Sequence, residues 1–185
     1  MSRSLKVIEN SLGVLRSIRF LLCVSLVSLY GCHTAPEMVS TPVTGFNHTS
    51  AAINRFSVNG AGGHPVSAFQ GGATQVCCGL LPAQWNPDLR ATIEWEKDPN
   101  PRDMIKRDKY GQFDKEDYKR HAARYSRHEA TVEIPKYGSD FCAIQVHFLP
   151  CDQVKVSTTC YTRSHQNYPD LGYFEVRETA SCEPL

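Results

Sequence analysis

The side chains of this sequence best suited to chemistry are its cysteines and histidines. The densest group is Cys77-Cys78, inside the stretch Gly71 to Trp85, GGATQVCCGLLPAQW. Two neighbouring thiols can form a reactive dithiol, supply two metal ligands or staple a fold. Adjacent residues on a strand point to opposite faces, so the two thiols are expected not to share one environment. Val76, Cys78 and Leu80 share a parity and read as the core face, with Cys77 looking outward beside Gln75. A metal site would want Cys-x-x-Cys, or two histidines four apart on one helix face. Neither is present, and His121 and His128 are seven apart. No metal and no cofactor is expected.

Nucleophilic catalysis needs a serine or cysteine with a positioned base. There is no Gly-x-Ser-x-Gly, and His48, His64 and His147 read as hydrogen-bonding or surface residues. Glu94 and Glu96 would stand about 7 Å apart on the solvent face of a strand, with nothing around them to suggest a pocket. The glycine-rich run from Asn59 to Ala73 reads as a mobile connection. It cannot cradle a phosphate in the usual way, because no Gly-Lys-Ser/Thr follows. The chain is therefore expected not to be an enzyme and to take no small-molecule substrate.

The N-terminus says where the chain goes. Arg16 and Arg19 precede an apolar run from Phe20 to Leu29, followed by Tyr30-Gly31-Cys32. A basic region, about ten apolar residues and a small residue before the cut describe a secretory signal peptide. A membrane span would need roughly 20 apolar residues. The ending Leu29-Tyr30-Gly31-Cys32 resembles a bacterial lipobox, which implies that Cys32 becomes the lipidated first residue. His33 stands where an inner-membrane retention signal would place Asp, so the resemblance implies the outer membrane, facing the periplasm. The organisation expected is a signal peptide over residues 1–31 and a lipidated Cys32 with a flexible tether to residue 43. A single disulfide-stapled domain then fills residues 44–185. The membrane would be reached through the lipid alone.

Removing residues 1–31 takes away Arg3, Lys6, Arg16, Arg19 and Glu9, which leaves 16 basic and 18 acidic residues. That balance carries no field able to hold nucleic acid, and none is expected as a partner. Export also turns the remaining cysteines into staples. Cys77, Cys78, Cys142, Cys151, Cys160 and Cys182 allow about 15 connectivities. Parity places Cys142 and Cys160 on core faces with Ile144 and Val156. The favoured pairing joins the Cys77-Cys78 pair to Cys151, and Cys160 to Cys182. The first bridge would close a long loop worth about 4 kcal/mol in the chain-entropy picture. A bond between Cys77 and Cys78 themselves is the less favoured alternative.

Two-residue alternation marks the strands. It runs through Ala52 to Asn59, through Ala91, Ile93 and Trp95, and through Val132 and Ile134. It returns at Ile144, Val146 and Phe148, with Gln145 and His147 outward, and at Val154 and Val156. Ser164 to Leu171 reads as a loop and Tyr173 to Val176 as a last short strand. The charged segment 97–129 breaks the pattern. Within it, Asp114 caps a helix of about 114–126 with Asp117 at its third position, and Phe113 and Tyr118 take the staple positions. The fold class is α+β and β-rich: a small antiparallel sandwich or curved sheet of about seven strands with one amphipathic helix. Tyr118, Arg120, Arg124 and Tyr125 on that helix are residue types enriched at binding hot spots and form the candidate partner surface.

Four segments together resemble a known family. They are Gly45-Phe46-Asn47-His48-Thr49 leading to Val58-Asn59-Gly60; Gly71-Gly72 to Cys77-Cys78 with Leu81-Pro82-Ala83-Gln84-Trp85; Val132 to Tyr137; and Val146-His147-Phe148-Leu149-Pro150-Cys151. Their order resembles an uncharacterised family of small proteobacterial lipoproteins, over about residues 44–157. The resemblance implies no catalytic residue. Through association with type VI secretion genes and lipase-type effectors, it implies an immunity role in which the tethered protein binds and neutralises a toxic effector. The alternative expectation is a structural or accessory envelope lipoprotein without a toxin partner.

Overall fold

The computed structural model describes residues 35–138, 142–169, 171–178 and 182. The expected signal peptide and the lipidation site Cys32 lie outside the described residues. Eight strands and one helix follow in chain order: β1 (Met38–Asn47), β2 (Ala52–Val58), β3 (Ala61–Gly63), β4 (Val76–Pro82), β5 (Arg90–Asp98), α1 (Lys115–Ala122), β6 (Ser126–Glu133), β7 (Ile144–Phe148) and β8 (Val154–Thr158). They form two four-stranded sheets, ordered β4-β1-β7-β8 and β3-β2-β5-β6. All pairs are antiparallel except β1 with β7.

The sandwich follows from the alternation. Val43, Ile144, Val146, Phe148, Val154 and Val156 from the first sheet meet Ile53, Phe56, Val58, Ile93 and Trp95 from the second in one buried cluster. Phe148 sits between the layers, its ring 5.2 Å from that of Phe56 and 5.9 Å from that of Trp95. At roughly 2 kcal/mol for each large apolar side chain fully buried, this interface is the main force holding the layers together. The fold is thus the β-rich α+β sandwich that the alternation predicts, with one more strand.

Two strands, β1 and β3, lie where none is expected, and β1 takes residues 38–43 from the tether into the sandwich. Residues 38–43, assigned to a tether, pair with β4 on one side and lead into pairing with β7 on the other. Their Ser, Thr and Pro content hides the strand from a periodicity reading. Pro42 fits because it stands at a register shift, where β1 needs no ladder donor. The glycine-rich run is also structured. Asn59 and Gly60, both at positive φ, turn the chain into β3, which pairs with β2. Gly63 lies against the Phe56 ring, and a Cβ there would collide with it.

The register shift explains why parity fails at the cysteine pair. Val76 is opposite Val43 and Gly79 opposite Thr41, so Pro42 faces both Cys77 and Cys78. Two residues against one is a β-bulge, and it swaps the faces of everything beyond it. Gly79 and Leu81 therefore face the core, while Leu80 is 57% exposed.

The disulfides also differ from the favoured pairing. They join Cys77 to Cys78, Cys142 to Cys160 and Cys151 to Cys182. Strand order excludes Cys77 or Cys78 with Cys151. The pair lies level with Pro42 on β1, whereas Phe148 of β7 is level with Asn47, and Cys151 lies further on. Five strand residues span about 17 Å, far beyond the Cα separation of about 6 Å that a disulfide tolerates. Cys142 and Cys160 face solvent rather than the core. They extend the β7–β8 ladder, in which Ile144 is opposite Thr158, so two residues further out they stand opposite each other with Cα atoms 4.8 Å apart.

Candidate ligand site beside a buried histidine pair

Gln145 and His147, expected to face outward, are buried, and His147 is 0% exposed. β7 is an inner strand, and described residues of the segments 159–169 and 171–176 cover the face of the sheet turned away from the sandwich core. Tyr168, Tyr173 and Phe174 from this segment lie over or beside His147. The Cys142–Cys160 and Cys151–Cys182 bridges bracket the segment and hold it down. Instead of the expected last strand, its end is a 3-10 turn over Leu171–Phe174.

Parallel pairing of β1 and β7 brings the two histidines together. Asn47 is level with Phe148, and the His48 N–H donates to the Phe148 carbonyl at 2.9 Å. His48 Nε2 is then 3.1 Å from His147 Nδ1, with the two rings nearly coplanar at 13°. Asn47 locks the corner, its side chain donating to the Ala51 carbonyl at 2.7 Å and accepting from Thr49.

The chain of hydrogen bonds behind the pair fixes its protons. Ser157 Oγ and Tyr168 Oη both donate to Gln145 Oε1, at 3.3 and 2.6 Å. With both hydroxyl protons committed, His147 Nε2 must be the donor to Ser157 Oγ at 3.1 Å. His147 Nδ1 then accepts from His48 Nε2–H, which leaves the lone pair of His48 on Nδ1. Burial pushes the His147 pKa down to about 3, with His48 adding to the effect. Burial, and then the charge of Arg163, hold His48 below the ordinary histidine value. Both rings are neutral at pH 7, and neither needs a carboxylate.

In front of His48 lies a cleft of about 700 Å³, bounded by Phe46, Phe69, Phe174 and the chain from Thr159 to Arg163. Gly72, at positive φ, packs on the Phe46 ring where a Cβ would collide with it. The Arg163 guanidinium lies 4.2 Å from the centre of the Phe174 ring, and the His48 ring packs edge-on to that same ring at 4.9 Å. No sequence motif announces this cleft, because its walls come from β1, the glycine-rich run, β7 and the C-terminal segment. The signal the sequence carries is confined to two histidines, His48 directly after β1 and His147 within β7.

The expected partner surface stands elsewhere, on the excursion between β5 and β6. Asp114 caps α1 by accepting the Asp117 N–H at 2.9 Å, and the Phe113 and Tyr118 rings stack at 6.0 Å, as the staple predicts. The helix ends at Ala122, short of residue 126, because β6 begins there. Its inward residues are Asp117 and His121 rather than an apolar stripe. His121 Nε2 bonds to buried Asp98 of β5 at 2.9 Å, which fastens the excursion to the sheet. Of the four expected residues, Tyr118 is exposed, Arg120 pairs with Asp117 and Arg124 pairs with Asp103 at 2.7 Å. Tyr125 packs edge-on to His121. The excursion adds three exposed side chains that sequence reasoning missed, Met104, Tyr110 and Phe113. They sit in turn-rich chain without periodicity, so no pattern marks them. No group of three or more metal-ligating side chains occurs among the described residues.

Comparison with known families matches residues 46–156 to the family described as "Protein of unknown function (DUF3304)". That span runs from the end of β1 into β8 and includes both histidines. No curated protein and no solved structure matches the chain.

Proposed function

The chain belongs to the DUF3304 family of proteins of unknown function, and from that premise we propose that it is a lipid-anchored envelope protein that binds and neutralises a protein effector. The observation that carries the reading is the excursion 99–125. It displays Met104, 96% exposed, with Tyr110, Phe113 and Tyr118 on a base fixed by the buried Asp98–His121 bond. Apolar and aromatic side chains held out on a rigid support lose little entropy on binding. Basic groups lie beside them: Arg107 over the Phe113 ring at 4.2 Å and Lys109 by the Tyr110 ring at 5.0 Å. Aromatic residues, Met and Arg are the types that interfaces favour. A lipid on Cys32 would anchor the sandwich, whose first strand begins at Met38, to the membrane. The partner the sequence resemblance implies is a phospholipase-type effector delivered to the periplasm.

The test is made in cells. Deleting the gene should sensitise cells to the neighbouring effector directed to the periplasm. The parent gene should restore survival, and a variant carrying Met104→Ala, Tyr110→Ala, Phe113→Ala and Tyr118→Ala should not. Unharmed survival without the gene would overturn the proposal.

A further inference from the structure

The cleft in front of His48 has a composition that selects its occupant. Among its described lining residues there is one cation, Arg163, and there is no Asp or Glu. Arg163 makes no ion pair with any described carboxylate, and its guanidinium carbon sits over the Phe174 ring, 4.2 Å from its centre. Held over the ring and with no hydrogen bond to a described residue, the guanidinium has N–H donors available to a planar or tetrahedral anion. Beside it, His48 spends Nε2 on His147 and leaves Nδ1 without a partner among the described residues. Phe46, Phe69 and Phe174 supply aromatic surface to the cleft. Phe69, 58% exposed, sits at a φ of 57° and presents its ring at the cleft. A non-glycine residue in that conformation is held there by its surroundings, and such residues gather at functional sites.

We propose that this cleft binds a small organic anion, with its carboxylate or phosphate on Arg163 beside His48 and its apolar body between Phe69 and Phe174. The size is that of ordinary ligand pockets, about 300–1,000 Å³. The buried histidine pair serves the site as a support. Its neutral chain through Ser157, Gln145 and Tyr168 fixes the His48 ring without adding a competing carboxylate. The site is separate from the excursion 99–125, so its failure and the failure of the effector-binding reading are distinguishable.

Three probes test this on the full chain with its disulfides intact: benzoate, its neutral isostere benzamide, and inorganic phosphate. Titration calorimetry and the imidazole NMR signals of His48 provide the readouts. Benzoate is expected to bind saturably, to shift the His48 signals, and to bind about tenfold or more tighter than benzamide, the range of one charge-assisted contact. Inorganic phosphate should bind more weakly than benzoate, because it has nothing to place against Phe69. Arg163→Gln should weaken benzoate about tenfold and leave the thermal midpoint unchanged, while Arg163→Lys should keep part of the affinity. Equal affinity for benzoate and benzamide, absence of a saturable His48 shift, or undiminished binding by Arg163→Gln would each overturn the proposal. The probe comparison needs no variant, so a misfolded one would not blunt the test.

Discussion

His48 Nε2 and His147 Nδ1 lie 3.1 Å apart across the β1–β7 pair, two neutral imidazoles joined by one proton in a buried layer. Neither has a carboxylate partner among the described residues, and behind them the chain of hydrogen bonds reaches the Gln145 amide. Tyr168, Tyr173 and Phe174 pack around His147, which is wholly buried, so a charge on that ring is what this part of the molecule least tolerates.

That intolerance predicts a pH dependence of stability. The unfolded chain takes up a proton on His147 near pH 6.5, whereas the folded chain resists until about 3. The contribution of this residue is fully present above pH 6.5 and is lost as the pH falls through that window towards 3. At about 1.4 kcal/mol per pH unit, acidification from 6.5 to 5 should cost about 2 kcal/mol from His147 alone. His48 adds in the same direction. Urea unfolding between pH 7 and 5 measures the slope, and His147→Gln should flatten it.

The disulfide between Cys142 and Cys160 ties the start of β7 to the end of β8 across 18 residues. The double variant Cys142→Ser, Cys160→Ser should lose about 3 kcal/mol by chain entropy. Peptide mapping without reduction should recover Cys142 with Cys160 and Cys151 with Cys182. Recovery of Cys151 with Cys77 or Cys78 would contradict the strand order.

The Cys151–Cys182 bridge should act on the site as well as on stability. Cys182→Ser releases the end of the segment that covers His147. Hydrogen exchange should then rise in residues 159–176 well before it rises in β5 or β6.

Asp98 and His121 are buried together at the base of the excursion. Asp98→Ala strands the imidazole N–H and should cost about 2 kcal/mol, the penalty for an unsatisfied buried donor. Exposure of the excursion to protease should increase, with the β1–β7 layer unaffected.

Gly63→Ala places a methyl group into the Phe56 ring. Overpacking of this kind costs about 1–3 kcal/mol, and a lowered thermal midpoint measures it. Gly62→Ala, which meets nothing nearby, serves as the control.

Local chemistry sufficed for much of the chain. The alternation at Ala91, Ile93 and Trp95 and at Ile144, Val146 and Phe148 is enough to demand two sheets sharing a core. Asp114, Asp117, Phe113 and Tyr118 were enough to start a helix, because caps and staples act within one turn. Periodicity cannot show what covers the second face of a strand, and so Gln145 and His147 read as outward. Their burial depends on a segment that returns from residues 159–176. Nor can it show a bulge. Whether Cys77 and Cys78 fall on opposite faces depends on Pro42, 35 positions earlier in the chain, standing opposite both of them.

The sequence by itself determined the layers and the helix cap, since each rests on residues near one another in the chain. Only the tertiary structure decided which cysteines meet, that His48 and His147 share a proton, and that Arg163 stands at a cleft with no carboxylate among its described lining residues. The histidines are 99 positions apart, and even the bridges that span 18 and 31 residues join separate elements. Such meetings are set by strand order and register, which no local pattern encodes.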